Sequence, residues 1–326
     1  MEQTVKSYLE GIKVGEKQTY RNVAIFPLFS ETDGSPRYHT LKEALAGGYL
    51  TIGEVSEGGH VPELKVTNSA AIAVLILDGE ELAGAKQNRI VNTTILLRAH
   101  SETIIPVSCT EQGRWSYASA HLHESGNIAT SKLRHINKQN VMASLHSTGQ
   151  FRSDQGAVWD NIHEDLSKLN VEAPTGAMQD GYAAREKDLD DYLGQFPYLP
   201  GQKGMLVLVN SEVAGMDIVS LETAYAGLHP KLVKSYAMEA LMSNGKAKHS
   251  ALGGTAKAFI VQALACNGKR FKSVGHGWDL RFEGKTIVGS ALVYNKKVIH
   301  AAFFRTTEAE KVGYMSGVKR RRGFRN

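Results

Sequence analysis

Short apolar runs alternate with turn sequences over about the first third of the chain. Six runs rich in β-branched residues are separated by Asp-Gly, Gly-Gly and proline-containing turns, a pattern that predicts strands. They cover residues 23–29, 49–55, 61–67, 72–77, 89–97 and 103–109. The segment YHTLKEALAGG, residues 38–48, instead has the spacing of a short helix that ends at glycine. The pattern therefore predicts an antiparallel sheet or sandwich with one helical insertion.

After Ala120 the apolar spacing lengthens to about four residues. Val158, Ile162 and Leu166 predict an amphipathic helix. A basic amphipathic segment precedes this helix, and another helix follows before the prolines at 197 and 200. The later residues mix apolar runs around short turns with helical spacing: hairpins at 205–220 and 286–304, and helices around 225–240 and 259–264.

The predicted fold class is α+β, with an antiparallel β-rich N-terminal half, a helical middle and a mixed α+β C-terminal half. The changes of pattern divide the chain into three predicted parts. These are a β-rich domain over 1–120 that carries the polar motifs, a helical and α+β region over 121–316, and a basic tail over 317–326. A chain of 326 residues is long enough for this division.

The net charge of +5 comes from the tail. Its five cations are Lys319, Arg320, Arg321, Arg322 and Arg325, and the rest of the chain is neutral. A neutral body has no field that attracts a polyanion, so nucleic-acid binding is expected through the tail only. The two cysteines form no CxxC, and no N-terminal stretch is long and apolar. We therefore expect a cytoplasmic protein with no membrane segment and leave its oligomeric state open.

DGEELAGAKQNR, residues 78–89, places charged and amide side chains directly beside apolar runs. Charged groups near a low-dielectric core need a partner, which is either a bound ligand or an internal ion-pair network. Arginine suits carboxylates and phosphates, and amides both donate and accept. Interpreted as one strand over 81–97, the segment puts Gln87 and Arg89 on the face of Glu81, opposite Lys86, Asn88 and Asn92.

IPVSCTEQGRW, residues 105–115, repeats this composition at the end of a predicted strand. Cysteine-dependent phosphatases separate their cysteine and arginine by five residues, whereas four separate Cys109 from Arg114. This spacing argues against a phosphatase, and Cys109 is predicted to be a small buried residue. Arg114 and Trp115 are better placed to hold an anion and stack on a base, although Trp115 also suits an ordinary core position.

An HxHE run at His121, His123 and Glu124 contains possible metal ligands without the HExxH spacing. Further ligands would have to come from Glu80, Glu81 or Glu111, whose positions in space the sequence does not give. The sequence identifies no cofactor and leaves a metal open.

Four motifs in this order resemble the ARPP domain family, which is named for its association with ADP-ribosylglycohydrolases and rhodanese-like phosphatases. They are TLKEAL at 40–45, EVSEGGHVPELKVTN at 54–68, DGEELAGAKQNR at 78–89 and IPVSCTEQGRW at 105–115. The resemblance implies a bacterial cytoplasmic protein linked to ADP-ribose or NAD-derived metabolites. It supplies no catalytic residues, so the candidate site rests on the density of polar groups.

Our first hypothesis is that the protein binds a nucleotide-like anionic metabolite, and that it hydrolyses or transfers this ligand if it is an enzyme. The candidate general bases are Glu80, Glu81 and Glu111. The candidate ligand-binding residues are Lys86, Gln87, Asn88, Arg89, Gln112, Arg114 and Trp115. The alternative is a non-enzymatic interaction protein that works through its helical middle and basic tail, with the polar clusters serving as internal scaffolding.

Overall fold

The computed structural model describes residues 1–31, 36–56, 58–243 and 254–307, so the basic tail and the hypothesis attached to it lie outside the described residues. Within these ranges the helices are α1 (Gln3–Glu10), α2 (Leu41–Ala46), α3 (Ser131–Thr148), α4 (Gln155–Leu169), α5 (Met178–Ala184), α6 (Glu186–Gln195), α7 (Glu222–Met242) and α8 (Gly254–Leu264). No helix of these ranges is both long and apolar enough to cross a bilayer.

Strands account for most of the remaining regular structure. They are β1 (Lys13–Val14), β2 (Gln18–Tyr20), β3 (Val23–Phe29), β4 (Tyr38–Thr40), β5 (Leu50–Glu54), β6 (Glu63–Asn68), β7 (Ala73–Ile76), β8 (Glu80–Gly84), β9 (Arg89–Val91), β10 (Ile95–Leu97), β11 (Ser101–Cys109), β12 (Leu122–Ile128), β13 (Gln202–Val209), β14 (Glu212–Val219), β15 (Asn267–Lys272), β16 (Trp278–Glu283), β17 (Ile287–Tyr294) and β18 (Lys297–Arg305). The fold is α+β, as predicted, with strands dominating the N-terminal half and helices the middle.

Nine strands form one antiparallel sheet in the order β1-β3-β13-β14-β18-β17-β16-β15, with β2 beside β3. Both faces of this sheet are apolar, so each is covered by helices: α7 packs on one face, and α1 and α8 on the other. The N-terminal strand β3 pairs with β13 of the C-terminal half. The division of the chain at residue 120 stays a prediction.

Six further strands close into a barrel in the order β11-β6-β5-β12-β8-β9. Alternate residues of these strands fill its interior, among them Ile52, Leu82, Val91 and Val107. A three-stranded sheet, β10-β7-β4, contributes to the same apolar core and contains the parallel pair β4 and β7. The barrel therefore gives the two polar motifs a rigid frame.

The interpretation of residues 81–97 as one strand is wrong. Strands β8 and β9 form a hairpin whose turn contains Ala85 at a φ of 42°, and β10 begins only at Ile95. The hydroxyls of Thr93 and Thr94 donate to Asp279 and Asp78, at 2.6 and 2.9 Å, which holds the chain between β9 and β10 away from strand pairing. The predicted assignment of polar residues to two faces therefore does not hold across the turn.

Helix α3 turns part of its basic face inward. Arg134 donates to both carboxylate oxygens of Asp217, at 2.9 and 2.6 Å, and Lys138 donates to Asp78 at 2.8 Å. Burial by itself raises the pKa of Asp217, but the charges of Arg134 and His300 and their hydrogen bonds hold it below its ordinary value. We call this set the Arg134 network, and it consists of Asp78, Thr94, Arg134, Lys138, Asp217, Tyr236 and His300.

Candidate functional site

The structure brings the two polar motifs together at one end of the barrel. Strand β9 pairs with β11 so that Arg89 lies opposite Cys109, and the backbone N–H of Asn88 donates to Glu111 at 3.2 Å. Because alternate residues share a face, Arg89 and Cys109 lie on the interior side with Val91 and Val107. The two motifs therefore form one cluster.

Arg114 and Glu111 form an ion pair that links chain segments at this end of the barrel. The Arg114 guanidinium donates to both carboxylate oxygens of Glu111, at 2.9 and 2.6 Å, and to the backbone oxygens of Ala85 and Ser116, at 2.7 and 2.9 Å. Burial alone would raise the pKa of Glu111, but the hydrogen bonds from Arg114 and Thr175 lower it overall. Glu111 therefore favours its ionised form, and the N–H groups of Arg114 are used in hydrogen bonds to other protein groups.

Arg89 is placed differently, since its side chain is 0 % exposed but only partly hydrogen-bonded. Nη1 donates to the side-chain oxygen of Gln87 at 3.3 Å and to the Asn88 carbonyl at 3.4 Å. Nε and Nη2 have no hydrogen-bond partner among the described residues. Burial lowers the pKa of Arg89, against the opposing effects of Cys109 and Glu54. The guanidinium therefore holds uncommitted donors inside the protein.

Glu54, at the end of β5, is the counterion of Arg89. Its Oε1 lies 3.8 Å from Arg89 Nη2, and its side chain is 3 % exposed. Oε1 also accepts from the backbone N–H of Lys86 at 3.3 Å, whereas Oε2 has no partner among the described residues. Sequence reasoning missed Glu54. The signal that could have found it is that Glu54 extends the inward-facing positions Leu50 and Ile52.

Trp115 and Lys86 cover this end. Trp115 is 46 % exposed, and its ring lies 5.6 Å from the Arg89 guanidinium and 5.5 Å from the Lys86 ammonium. Lys86 also donates to the Gly58 carbonyl at 2.9 Å. Trp115 is therefore not an ordinary core residue but an accessible aromatic surface over two cations. We call Glu54, Lys86, Arg89 and Trp115 the barrel mouth.

The predicted amide residues connect the barrel mouth to its surroundings. Gln87 donates to the backbone oxygen of Gln112 at 3.5 Å, and Asn88 donates to the side-chain oxygen of Gln179 at 3.2 Å. Gln112 also lines a surface cavity of about 460 Å³, together with residues of α4 and of the loop before α5, including His163 and Thr175. An open space thus adjoins the cluster on the side of Gln112.

The other two predicted carboxylates lie among protein partners. Glu80 accepts from the backbone N–H of Leu77 at 2.7 Å and from Lys231 at 2.6 Å. Glu81 accepts from the Thr110 hydroxyl at 3.0 Å and from Asn127 at 3.4 Å, and burial raises its pKa. Both side chains are buried, and neither has a hydrogen-bond partner in the barrel mouth among the described residues.

Cys109 is buried, as predicted, and burial raises the pKa of its thiol to about 11. The thiol is therefore protonated near neutral pH, which does not favour a nucleophile. In the HxHE run, Glu124 is paired with Lys231. The described part of the chain contains no group of three or more His, Cys, Asp or Glu side chains arranged to hold a metal ion.

Comparison with known proteins identifies one family. A family model described as ARG and Rhodanese-Phosphatase-superfamily-associated Protein domain, ARPP-1, matches residues 11–304. The matched range includes the whole barrel and nearly all of the nine-stranded sheet. No curated protein and no solved structure matches the chain.

Proposed function

The chain belongs to the ARPP-1 family, and from this premise we propose that it binds a small, nucleotide-like anionic metabolite at the barrel mouth. The family description records an association with ADP-ribosylglycohydrolases and rhodanese-phosphatase proteins, and it names no ligand. The proposal is therefore carried by one observation on the molecule. Arg89 keeps two of its nitrogens without a hydrogen-bond partner among the described residues, directly beneath an exposed tryptophan.

Buried donors without partners are costly, at about 1–3 kcal/mol each and more for charged groups. A guanidinium presents its N–H groups as a planar fork that matches the oxygens of a phosphate or carboxylate. Nε and Nη2 of Arg89 are neighbouring nitrogens of this fork. An anion that accepts from both would remove the cost, and this gives the site a reason to bind an anion.

The aromatic and cationic surroundings favour a nucleotide over a simple ion. The exposed indole of Trp115 offers a flat surface for a base or nicotinamide ring. Lys86 adds a second positive charge beside the same ring. The Arg89 side chain is not exposed, and the Trp115 ring lies 5.6 Å from its guanidinium, so we expect a ligand that reaches the guanidinium to move this ring. Binding is therefore expected to change the fluorescence of Trp115.

Hydrolysis or transfer of the ligand would require a general base in addition to this binding site. Glu81 is one of the three carboxylates predicted for that role, and burial raises its pKa, which is the direction a base near neutral pH needs. Glu111 has a lowered pKa and holds Arg114, while Glu80 pairs with Lys231. We therefore confine the proposal to binding and retain Glu81 as the candidate base.

The test is a fluorescence titration of the purified protein with ADP-ribose, NAD and AMP. We expect a saturable change for at least one of these ligands, its absence in Trp115→Phe, and loss of binding in Arg89→Met. Arg98→Met is the matched control, because Arg98 is an exposed arginine that follows β10 and its guanidinium donates to the Gly275 carbonyl. Unchanged affinity in Arg89→Met would overturn the proposal, as would the absence of binding by all three ligands.

A further inference from the structure

Glu54 and Arg89 form an incomplete ion pair. Buried arginine and carboxylate pairs usually share two parallel hydrogen bonds of about 2.7–2.9 Å. Here the closest approach is 3.8 Å, between Arg89 Nη2 and Glu54 Oε1, which is too long for a hydrogen bond. On the carboxylate, Oε2 has no partner among the described residues. The pair thus presents both free donors and a free acceptor at the same place.

The chemistry of this pair restricts what can occupy the barrel mouth. A fully ionised phosphate accepts from Arg89 but only repels the Glu54 carboxylate. An ammonium group donates to Glu54 but is repelled by Arg89. A hydroxyl group both donates and accepts. It can donate to the Glu54 carboxylate and accept from the Arg89 guanidinium, or it can lie between the carboxylate and a neighbouring anion.

We propose that Glu54 makes the barrel mouth selective for anions that carry a neighbouring hydroxyl, which is the chemistry of sugar phosphates and of nucleotides with free ribose hydroxyls. The inference rests on the proposed function, since it specifies the ligand class of the same site. Glu54 is the residue that determines specificity, because it accepts from the ligand hydroxyl while Arg89 donates to the anion. A nucleotide without these hydroxyls leaves the carboxylate buried against the anion, which weakens its binding.

Calorimetric titration with AMP and 2′,3′-dideoxy-AMP tests this inference, because the two ligands differ only in the ribose hydroxyls. One hydrogen bond to a charged group corresponds to roughly a tenfold or larger effect on affinity. We therefore expect the wild-type protein to bind AMP at least about tenfold more tightly than the dideoxy compound.

Glu54→Gln is the informative variant. The amide oxygen keeps the hydrogen bond from the Lys86 backbone, which places the amide NH₂ at the position of Oε2. A donor then stands where the ligand hydroxyl needs an acceptor, and the repulsion of the anion disappears. We expect AMP to bind more weakly, the dideoxy compound to bind no more weakly, and the preference to fall to about twofold or less. Glu63→Gln is the matched control, since Glu63 begins β6 and pairs with His60 on the surface.

The outcomes separate this inference from the proposed function. No binding of AMP, ADP-ribose or NAD to the wild-type protein would contradict both. Equal affinity for AMP and its dideoxy analogue would leave the proposed function intact and overturn the selectivity. A wild-type preference that persists in a folded Glu54→Gln variant would also overturn it, because the selectivity would then come from another residue. The melting temperature of each variant establishes that it is folded.

Discussion

Arg89 and Arg134 are both fully buried, and their environments differ. Arg134 makes two short hydrogen bonds to Asp217 and a longer one to Asp78, and the Arg134 network around it joins α3 to the barrel and the nine-stranded sheet. Arg89 lies 3.8 Å from its counterion and has no partner for two nitrogens among the described residues. Both are charged groups in an apolar setting, but only Arg134 is fully paired.

The electrostatic consequences run in opposite directions. Burial lowers the pKa of both guanidinium groups, but the charges of Asp217 and Asp78 raise the pKa of Arg134 overall, whereas Arg89 keeps a lowered value. A paired arginine stabilises the fold only as long as its carboxylates remain, whereas an incompletely paired one keeps donors for another molecule. Burial alone therefore does not distinguish a charged residue that stabilises the fold from one that can bind a ligand. The number of its hydrogen-bond donors that are already paired within the protein does.

The largest effect is expected from breaking the Arg134 network. Arg134→Met removes the main counterion of the buried Asp217 carboxylate and one of the cations that pair with Asp78, so we expect a loss of about 3–5 kcal/mol in the free energy of unfolding. Urea denaturation measures this loss. Arg98→Met, at an exposed position, should stay within about 0.5 kcal/mol of wild type. A loss in Arg134→Met no larger than in Arg98→Met would remove the distinction between the two arginines.

Acid should weaken the same network next. The folded-state pKa of Asp217 lies below its unfolded value of about 3.9, so its stabilisation is complete above about pH 4 and is lost as the pH falls towards the folded value. One such carboxylate contributes about 2–3 kcal/mol. The stability gap between wild type and Asp217→Asn, measured by urea denaturation from pH 7 to pH 2.5, should therefore shrink below pH 4. A gap that is constant with pH would contradict this account.

Asp165 is a buried ionisable group that, like Arg89, is incompletely hydrogen-bonded among the described residues. Its Oδ1 has no hydrogen-bond partner among the described residues, and burial raises its pKa to about 6. For a carboxyl group with a raised folded-state pKa, stability is complete below about pH 3.9 and is lost as the pH rises through 6. Asp165→Asn should match wild type near pH 4 and exceed it by about 2–3 kcal/mol at pH 7.5. A variant less stable than wild type at pH 7.5 would show that the charged form is well solvated.

The smallest change in stability is expected at the barrel mouth. Replacing an incompletely hydrogen-bonded buried ion pair by uncharged groups is often neutral or stabilising. The double variant Arg89→Met, Glu54→Gln should therefore unfold within about 1 kcal/mol of wild type. The same urea denaturation measures it. A loss comparable with that of Arg134→Met would identify the barrel mouth as scaffold.

Local patterns predicted most of the fold. The run at 23–29 is strand β3, and the spacing of Val158, Ile162 and Leu166 is the buried face of α4. The prediction of a single strand over 81–97 failed because the chain turns at Ala85, and because Thr93 and Thr94 hydrogen-bond to Asp279 and Asp78 instead of continuing a strand. Closure of the barrel also depends on pairing between distant strands, which no local period reports.

The candidate site was predictable in part. The density of polar residues found both segments that converge at the barrel, yet it treated Arg89 and Arg114 as equivalent. Their hydrogen bonds distinguish them: Arg114 donates to several protein oxygens, whereas two nitrogens of Arg89 have no partner among the described residues. Glu54 was missed because the order of strands in the barrel, which the sequence does not show, brings it to Arg89. The inward-facing basic residues of α3 were missed because their counterions, Asp78 and Asp217, lie in other parts of the chain.

The most direct test of the central claim is calorimetric titration of ADP-ribose into the wild-type protein and into the Arg89→Met, Glu54→Gln double variant. The account predicts a saturable heat for wild type and none for a double variant that melts within a few degrees of it. Equal binding by the two proteins, or no binding by wild type to ADP-ribose, NAD or AMP, would contradict the assignment of the barrel mouth as a ligand site.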